Sequence, residues 1–469
     1  MIVKKSLIII LAFTMGCTLH RPQEITLSEP VPDKYEWAEN EMLTAYKQNG
    51  WWEIFEDEQL NQVMQKAFAN NLSLAQASSR IIQFEAIQKQ ARAAKFPSLK
   101  LDGRAARSQS LSVMGVSTGE SYNLSVAAGY EIDLWGKLSS KERAREFEKR
   151  ASNEDMKSLY LTLSAQIADT YYLLAASELQ LGLIENTIKS RKATVELVER
   201  RYIEGMVSAL DVHQAQQTLA NVEGRKPEIE NTIAVTSHQL SILMGGYPNP
   251  NMSQDVPVLP HIQGWFPNGL PSDLLLNRPD IQAEMLRLRS SDEEIGAAIA
   301  ARFPSINLLA DYGRSGSDYG LSLSSTVWNL VANITMPLID WGGRKAEVTR
   351  REAIFNEKLF HYRETVLKAF KEVEDALVSQ KKTEEMLIYL EKEVQSANAS
   401  LELVLDQYKG GLSNYLPVLT TEILTTDAQT RLIMAQRELI SHRISLARAC
   451  GGTWMASYID EKKNQEGVD

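Results

Sequence analysis

Cysteine and histidine are both scarce: the 469 residues hold two cysteines, Cys17 and Cys450, and six histidines (His20, His213, His238, His261, His361, His442) scattered without metal-ligand spacing. No metal site, no cofactor and no disulfide framework is therefore expected. A basic surplus is also missing, since the net charge is -10 and the pI about 5.4. Phosphate binding needs a net basic surface, so nucleic acid is excluded as the main partner. Nucleophile elbow, phosphate loop and metal motif are all absent, which speaks against an enzyme. The chain is nonetheless 44% hydrophobic and 23% charged, the balance of a folded protein.

The longest early apolar run, Leu7 to Phe13, is too short to cross a bilayer as a mature helix. Lys4 and Lys5 precede it, and Thr14-Met15-Gly16-Cys17 follows as a small-residue cleavage region. Residues 1–16 thus read as an export signal. The placing of Cys17 resembles the lipobox of bacterial lipoproteins, with Thr14 where leucine is usual. That resemblance makes Cys17 the lipid-attachment residue and implies delivery to the outer membrane, because Thr18 is not the retaining aspartate. An ordinary signal peptide with an incidental cysteine is the alternative. Cys450 is expected as a buried thiol in the last helix.

The chain repeats itself at a long period. Lys95-Phe96-Pro97-Ser98-Leu99 returns as Arg302-Phe303-Pro304-Ser305-Ile306, 207 residues on. Tyr202-Ile203-Glu204-Gly205 returns as Tyr408-Lys409-Gly410-Gly411, and Met244-Gly245-Gly246 as Cys450-Gly451-Gly452, both at 206. Asp133-Leu134-Trp135-Gly136 answers Asp340-Trp341-Gly342-Gly343 with one residue dropped. The expected organisation is a lipidated N-terminal segment over 17–60, a first repeat over 61–246, a linker over 247–270, a second repeat over 271–452 and a tail over 453–469. Five of the fifteen prolines fall between Tyr247 and Pro271, which marks the linker.

Each repeat is expected to run helix, two strands, very long helix, turn, helix. Proline is absent between Pro97 and Pro227 and between Pro337 and Pro417. Within those stretches apolar residues recur three or four apart, as in Phe355, Leu359, Tyr362, Val366, Phe370 and Val373. Helices from near Ser139 to Arg201 and from Arg344 to Gln407 would each rise roughly 100 Å. The strands alternate with a period of two. Tyr122, Leu124, Val126, Ala128, Tyr130 and Ile132 face opposite Asn123, Ser125, Ala127, Gly129 and Glu131. Trp328, Leu330, Ala332, Ile334, Met336 and Leu338 make the matching series in the second repeat, and shorter versions begin at Leu99 and Ile306. Loops are expected around Ser108 to Glu120 and Gly313 to Ser324.

One apolar and one polar face fits a barrel strand between lipid and water, and also a two-layer soluble sheet. Four strands cannot close a barrel, and an open edge in hydrocarbon leaves backbone groups without partners. Membrane-spanning strands would therefore require several chains to share one barrel.

The sequence resembles the outer membrane efflux proteins, the TolC-like outer membrane factors, and within them the lipoprotein branch. The residues that carry the resemblance are Trp51-Trp52 with Phe55 and Leu60, Arg278-Pro279-Asp280-Ile281 with Ala283-Glu284, Phe303-Pro304-Ser305-Ile306, Asp340-Trp341-Gly342-Gly343, and the Gly205 and Gly411 turns. The resemblance implies a mixed α and β membrane protein: a homotrimer with a long α-helical barrel and a shared transmembrane β-barrel of four strands per chain. It also implies a place in the outer membrane, with a periplasmic adaptor and an inner-membrane transporter as partners.

Ser208 with Asp211 three residues on is a helix-start capping pattern after Gly205, and Asn414 after Gly411 is expected to play the same part. By the same resemblance these turns form the periplasmic entrance, where the channel closes. Leu416 matches the apolar constriction residue. Pro417 and Thr420 stand where aspartates are common, so the entrance set is Leu416, Thr420, Glu422 and Asp211. A periplasmic coiled-coil lipoprotein without a pore, in a structural or adaptor role, is the alternative function.

Overall fold

The computed structural model describes residues 20–23, 25, 30–37, 50–112, 115–250, 259–260, 277–316, 323 and 325–451. The signal segment, Cys17, most of the linker and the tail after Cys450-Gly451 lie outside them. Among the described residues there are seven α-helices: α1 (Glu58–Asn70), α2 (Leu72–Ala93), α3 (Lys137–Ile203), α4 (Ala209–Leu243), α5 (Pro279–Ala300), α6 (Gly343–Lys409) and α7 (Tyr415–Cys450). The strands are β1 (Ser98–Ser112), β2 (Gly115–Ile132), β3 (Ser305–Gly316) and β4 (Ser325–Thr335). The order helix, strand, strand, 67-residue helix, helix occurs twice. The chain divides into two compact units, and both long helices contribute to each.

The first unit comprises Met1–Glu29, Ser78–Glu154 and Ile281–Thr365 and holds the sheet. Its four strands are antiparallel in the order β1-β2-β3-β4, so β1 and β4 are open edges. Alternation puts Leu99, Leu101, Leu124, Val126, Tyr312, Trp328, Leu330 and Ile334 on one face, all of them exposed. Lys100, Asp102, Asn123, Asn307, Asp311, Asn329 and Asn333 take the other face, interrupted by Leu309, Val327 and Val331. There Asn329 donates to both oxygens of Asp311 at 3.2 Å.

Three expectations are corrected here. Much of the segment expected as loop from Ser108 to Glu120 is strand, paired Arg107↔Glu120 through Ser112↔Gly115. Its glycine and serine content hid a ladder that rests on backbone hydrogen bonds and on the cross-strand pair Arg107–Glu120 at 3.6 Å. Gly313 to Gly316 likewise belongs to β3. In the opposite sense, β4 stops at Thr335, short of Met336 and Leu338, because Pro337 has no N–H to extend the ladder.

Long helices start where a carboxylate satisfies their first free N–H groups. Asp133 accepts from Leu138 N at 2.9 Å and Ser139 N at 2.7 Å, while Asp340 accepts from Gly342 N at 3.0 Å and Arg344 N at 3.1 Å. This is the structural reason for the repeated aspartate-tryptophan-glycine stretch.

The second unit comprises Pro30–Ala77, Asp155–Asp280 and Val366–Asp469 and holds the main apolar core. A 3-10 turn, Trp51–Phe55, inserts its aromatic rings among Phe68, Tyr160, Tyr171 and Tyr172. Trp51 is 1% exposed and donates its indole N–H to Ser164 Oγ at 2.9 Å. Asp57 caps α1 by accepting from Gln59 N and Leu60 N. Pro227 lies inside α4, so proline spacing alone does not bound that helix.

Residues 207 apart also hold α4 and α7 in place. Asn71 donates to Leu243 O at 2.8 Å, and 207 residues on Arg278 donates to Ala449 O at 3.0 Å. Gly245 and Gly451 end these helices at φ of +75° and +73°. A Cβ at Gly245 would lie 2.3 Å from Asn70 O, and one at Gly451 would lie 2.9 Å from Asn277 O. By contrast Gly205, at φ +73°, faces open space. Gly205→Ala should cost about 1 kcal/mol for its left-handed backbone. Gly245→Ala adds a backbone collision and should lower thermal stability clearly further, as differential scanning fluorimetry can check. Equal shifts would contradict this assignment.

Candidate functional site

The candidate site is built at the ends of α3 and α6, where each chain segment turns into a shorter helix. Both turns close alike. Gly205 N donates to Tyr202 O at 2.9 Å and Met206 N to Arg201 O at 2.8 Å; Gly411 N donates to Tyr408 O at 3.0 Å and Leu412 N to Gln407 O at 2.9 Å. These are Schellman closures, with glycine in the left-handed position that other residues enter only at a cost. The helices that follow start differently. Ser208 and Asp211 form a full capping box: Asp211 N donates to Ser208 Oγ at 3.3 Å and Ser208 N to Asp211 Oδ2 at 2.9 Å. Asn414 occupies the cap position of α7, but its side chain makes no capping bond, contrary to the expectation from sequence.

Below the turns an apolar cluster of Val195, Val198, Ala215, Tyr408, Tyr415 and Val418 joins the two helical hairpins. Arg201 stacks over the Tyr408 ring at 4.5 Å and donates to Lys409 O at 2.8 Å. One residue of the expected entrance set is redirected by this packing. Glu422 is 3% exposed, forms an ion pair with Arg191, itself buried, and accepts from Thr194 Oγ1 at 3.1 Å. Burial pushes its carboxyl above the ordinary glutamate value, while Arg191 and Thr194 pull it back. Glu422 is therefore an internal tie between the hairpins and not a free carboxylate on an exposed face. Asp211 spends its carboxylate on the cap.

Leu416 and Thr420 do share an exposed face of α7, one turn apart, with Thr420 Oγ1 donating to Leu416 O at 3.0 Å. Leu416 is 58% exposed, and its repeat counterpart Leu210 is 64% exposed. Met206 and Leu412 add exposed apolar surface at the turns themselves. Sequence reasoning missed Arg191 because it lies 231 residues from its partner and no local pattern signals the pairing. At the far end of α7, Cys450 packs against the main core, and burial pushes its thiol up to about 12.

No helix among the described residues is long and apolar enough to cross a membrane. Among them, no group of three or more histidine, cysteine, aspartate or glutamate side chains is placed to hold a metal ion.

The family model described as outer membrane efflux protein matches residues 63–246 and again 270–452. The chain belongs to the outer membrane efflux protein family. Similar members of the family include a solvent efflux pump outer membrane protein, SrpC, of Pseudomonas putida, 30% identical over 411 residues that cover 86% of this chain and 87% of SrpC. The cation efflux system protein CusC of Escherichia coli is 27% identical over 445 residues, covering 94% and 96%. The CmeC outer membrane channel of Campylobacter jejuni shares the fold, with a TM-score of 0.87 at 22% identity over 95% of this chain and 98% of that one. As an outer membrane efflux protein the chain sits in the outer membrane and extends into the periplasm.

Proposed function

We propose that three copies of this chain form one channel, each giving four strands to a common barrel and its long helices to a periplasmic tunnel. The protein is an outer-membrane efflux channel of a tripartite system. In that reading a periplasmic adaptor and an inner-membrane transporter deliver the solute and supply the energy. Cys17 carries the lipid anchor, and the repeats arose by duplication of one unit. The observation that carries the reading is the open four-stranded sheet. One face exposes leucine, valine and aromatic side chains, the other is largely polar, and both edge strands lack partners. In hydrocarbon each unpaired backbone group costs several kcal/mol, so closure by further strands is required.

The entrance closes by apolar contact. Leu416 is a large side chain exposed on one chain, flanked by Leu412 and Thr420, and symmetry copies would cover it. Leu416→Ala should raise the resting conductance of the purified channel in planar lipid bilayers, roughly in proportion to the population of open tips. Conductance unchanged from the parent would remove Leu416 from the gate. Glu422 contributes differently, by keeping the two hairpins of one copy together.

A further inference from the structure

The chain contains one half of a contact twice over, and only one of the two is made. At the junction of β2 and α3, Trp135 is half-buried: its ring lies 5.0 Å from that of Phe303, and its indole N–H donates to Pro304 O at 2.8 Å. Trp135 belongs to the first repeat and Phe303-Pro304 to the second. Their counterparts by the repeat are Trp341, 206 residues on, and Phe96-Pro97, 207 residues back. Those counterparts do not meet within the chain. Trp341 is 96% exposed, its neighbours Leu338 and Ile339 are 85% and 78% exposed, and Phe96 is 58% exposed. Trp341 also holds φ at +53°, a left-handed backbone that bulky residues seldom adopt.

Resting on the reading that copies share one ring, we propose that Trp341 of one copy docks on Phe96 and Pro97 of the next, repeating between chains the contact that Trp135 makes within one. The occupant of the exposed patch is thus a second copy, named by the repeat itself. The placement of these residues at the sheet edges supports this. The patch lies beside β4, and Phe96-Pro97 leads directly into β1, and these are the two open edges of the sheet.

The test is cross-linking of the full-length protein in detergent, with Phe96→Cys and Trp341→Cys combined in a Cys450→Ser background. A short bis-maleimide should give a ladder of two and three linked chains on denaturing gels for the double variant only, with neither single-cysteine chain exceeding the parent. Trp135→Cys with Phe303→Cys should link within one chain and run as a monomer. Light scattering on the same samples separates the outcomes. Trimers that fail to link at 96 and 341 overturn the clasp and leave the shared ring standing; monomers overturn both. If cysteine at these sites impairs assembly, Trp341→Phe provides the second readout. It should lower the temperature at which the trimer dissociates while leaving the helical circular dichroism unchanged, and an unaltered dissociation temperature counts against the contact.

Discussion

Arg191→Ala should destabilise the helical tips by about 3–5 kcal/mol, because it leaves Glu422 buried without its counter-charge. The effect belongs to the tip and not to the sheet, so hydrogen exchange of peptides covering Val195 to Ala215 and Tyr408 to Thr426 is the appropriate measurement. Protection there should collapse while peptides from β2 and β3 stay unchanged. The sign of the pH dependence follows from Glu422, whose carboxyl burial already pushes above the ordinary glutamate value. In the variant that opposing pull of Arg191 is gone. A carboxyl with a raised folded pKa contributes stability that is complete below its unfolded pKa and is lost as pH rises through the folded value. The loss should therefore be smaller at about pH 5 than at about pH 8. Replacing both partners, as in Arg191→Met with Glu422→Leu, should recover most of the protection, since a well-packed apolar pair avoids the desolvation cost altogether. Failure of the double variant to recover would mean that the tie acts through geometry that apolar side chains cannot reproduce.

Trp51→Ala should cost about 3–5 kcal/mol by cavity formation in the main core. The indole is 1% exposed, meets Trp52 and Phe55 edge-on at 6.1 Å, and leaves Ser164 Oγ without its donor when removed. The other rings of the 3-10 turn, Trp52 against Phe68 at 5.6 Å and Phe55 against Tyr172 at 5.1 Å, border that cavity, so the turn should loosen from the core. Limited proteolysis checks this: cleavage should move to residues 50–57 in the variant, with α3 and α6 still resistant. Unchanged proteolysis would show that Trp52 and Phe55 hold the turn without Trp51.

Much of the architecture was legible in the sequence because it rests on periodicity. The alternation from Tyr122 to Ile132 gave β2 and its faces, and the seam through Phe355, Tyr362, Val366 and Val373 gave α6 to within two residues of its C-terminus. Where side-chain pattern and backbone pairing diverge, the reading failed. Serine and glycine around Ser108 to Glu120 carry no strand signal, yet the hairpin continues because each strand supplies the other's hydrogen bonds. Pro337 cut β4 short against an alternation that continued through Leu338.

The candidate site was legible only in part. Glycine in a left-handed turn and serine three residues before an acid are local codes, so Gly205, Gly411, Ser208 and Asp211 could be read directly. Glu422 could not, because an acid on an amphipathic helix has the same local appearance whether it meets water or a buried arginine. Asn414 had the right type for a cap, but its side chain makes no bond to the helix start. Trp341 looked like a repeat of Trp135, and only its exposure distinguishes a contact already made from one awaiting another chain.

The central claim is that these strands close a barrel only in company. Native mass spectrometry of the mature protein, released from detergent micelles, tests it most directly. The account predicts an assembly of three chains with Cys17 acyl chains attached. A stable single chain that keeps its four-stranded sheet would contradict it.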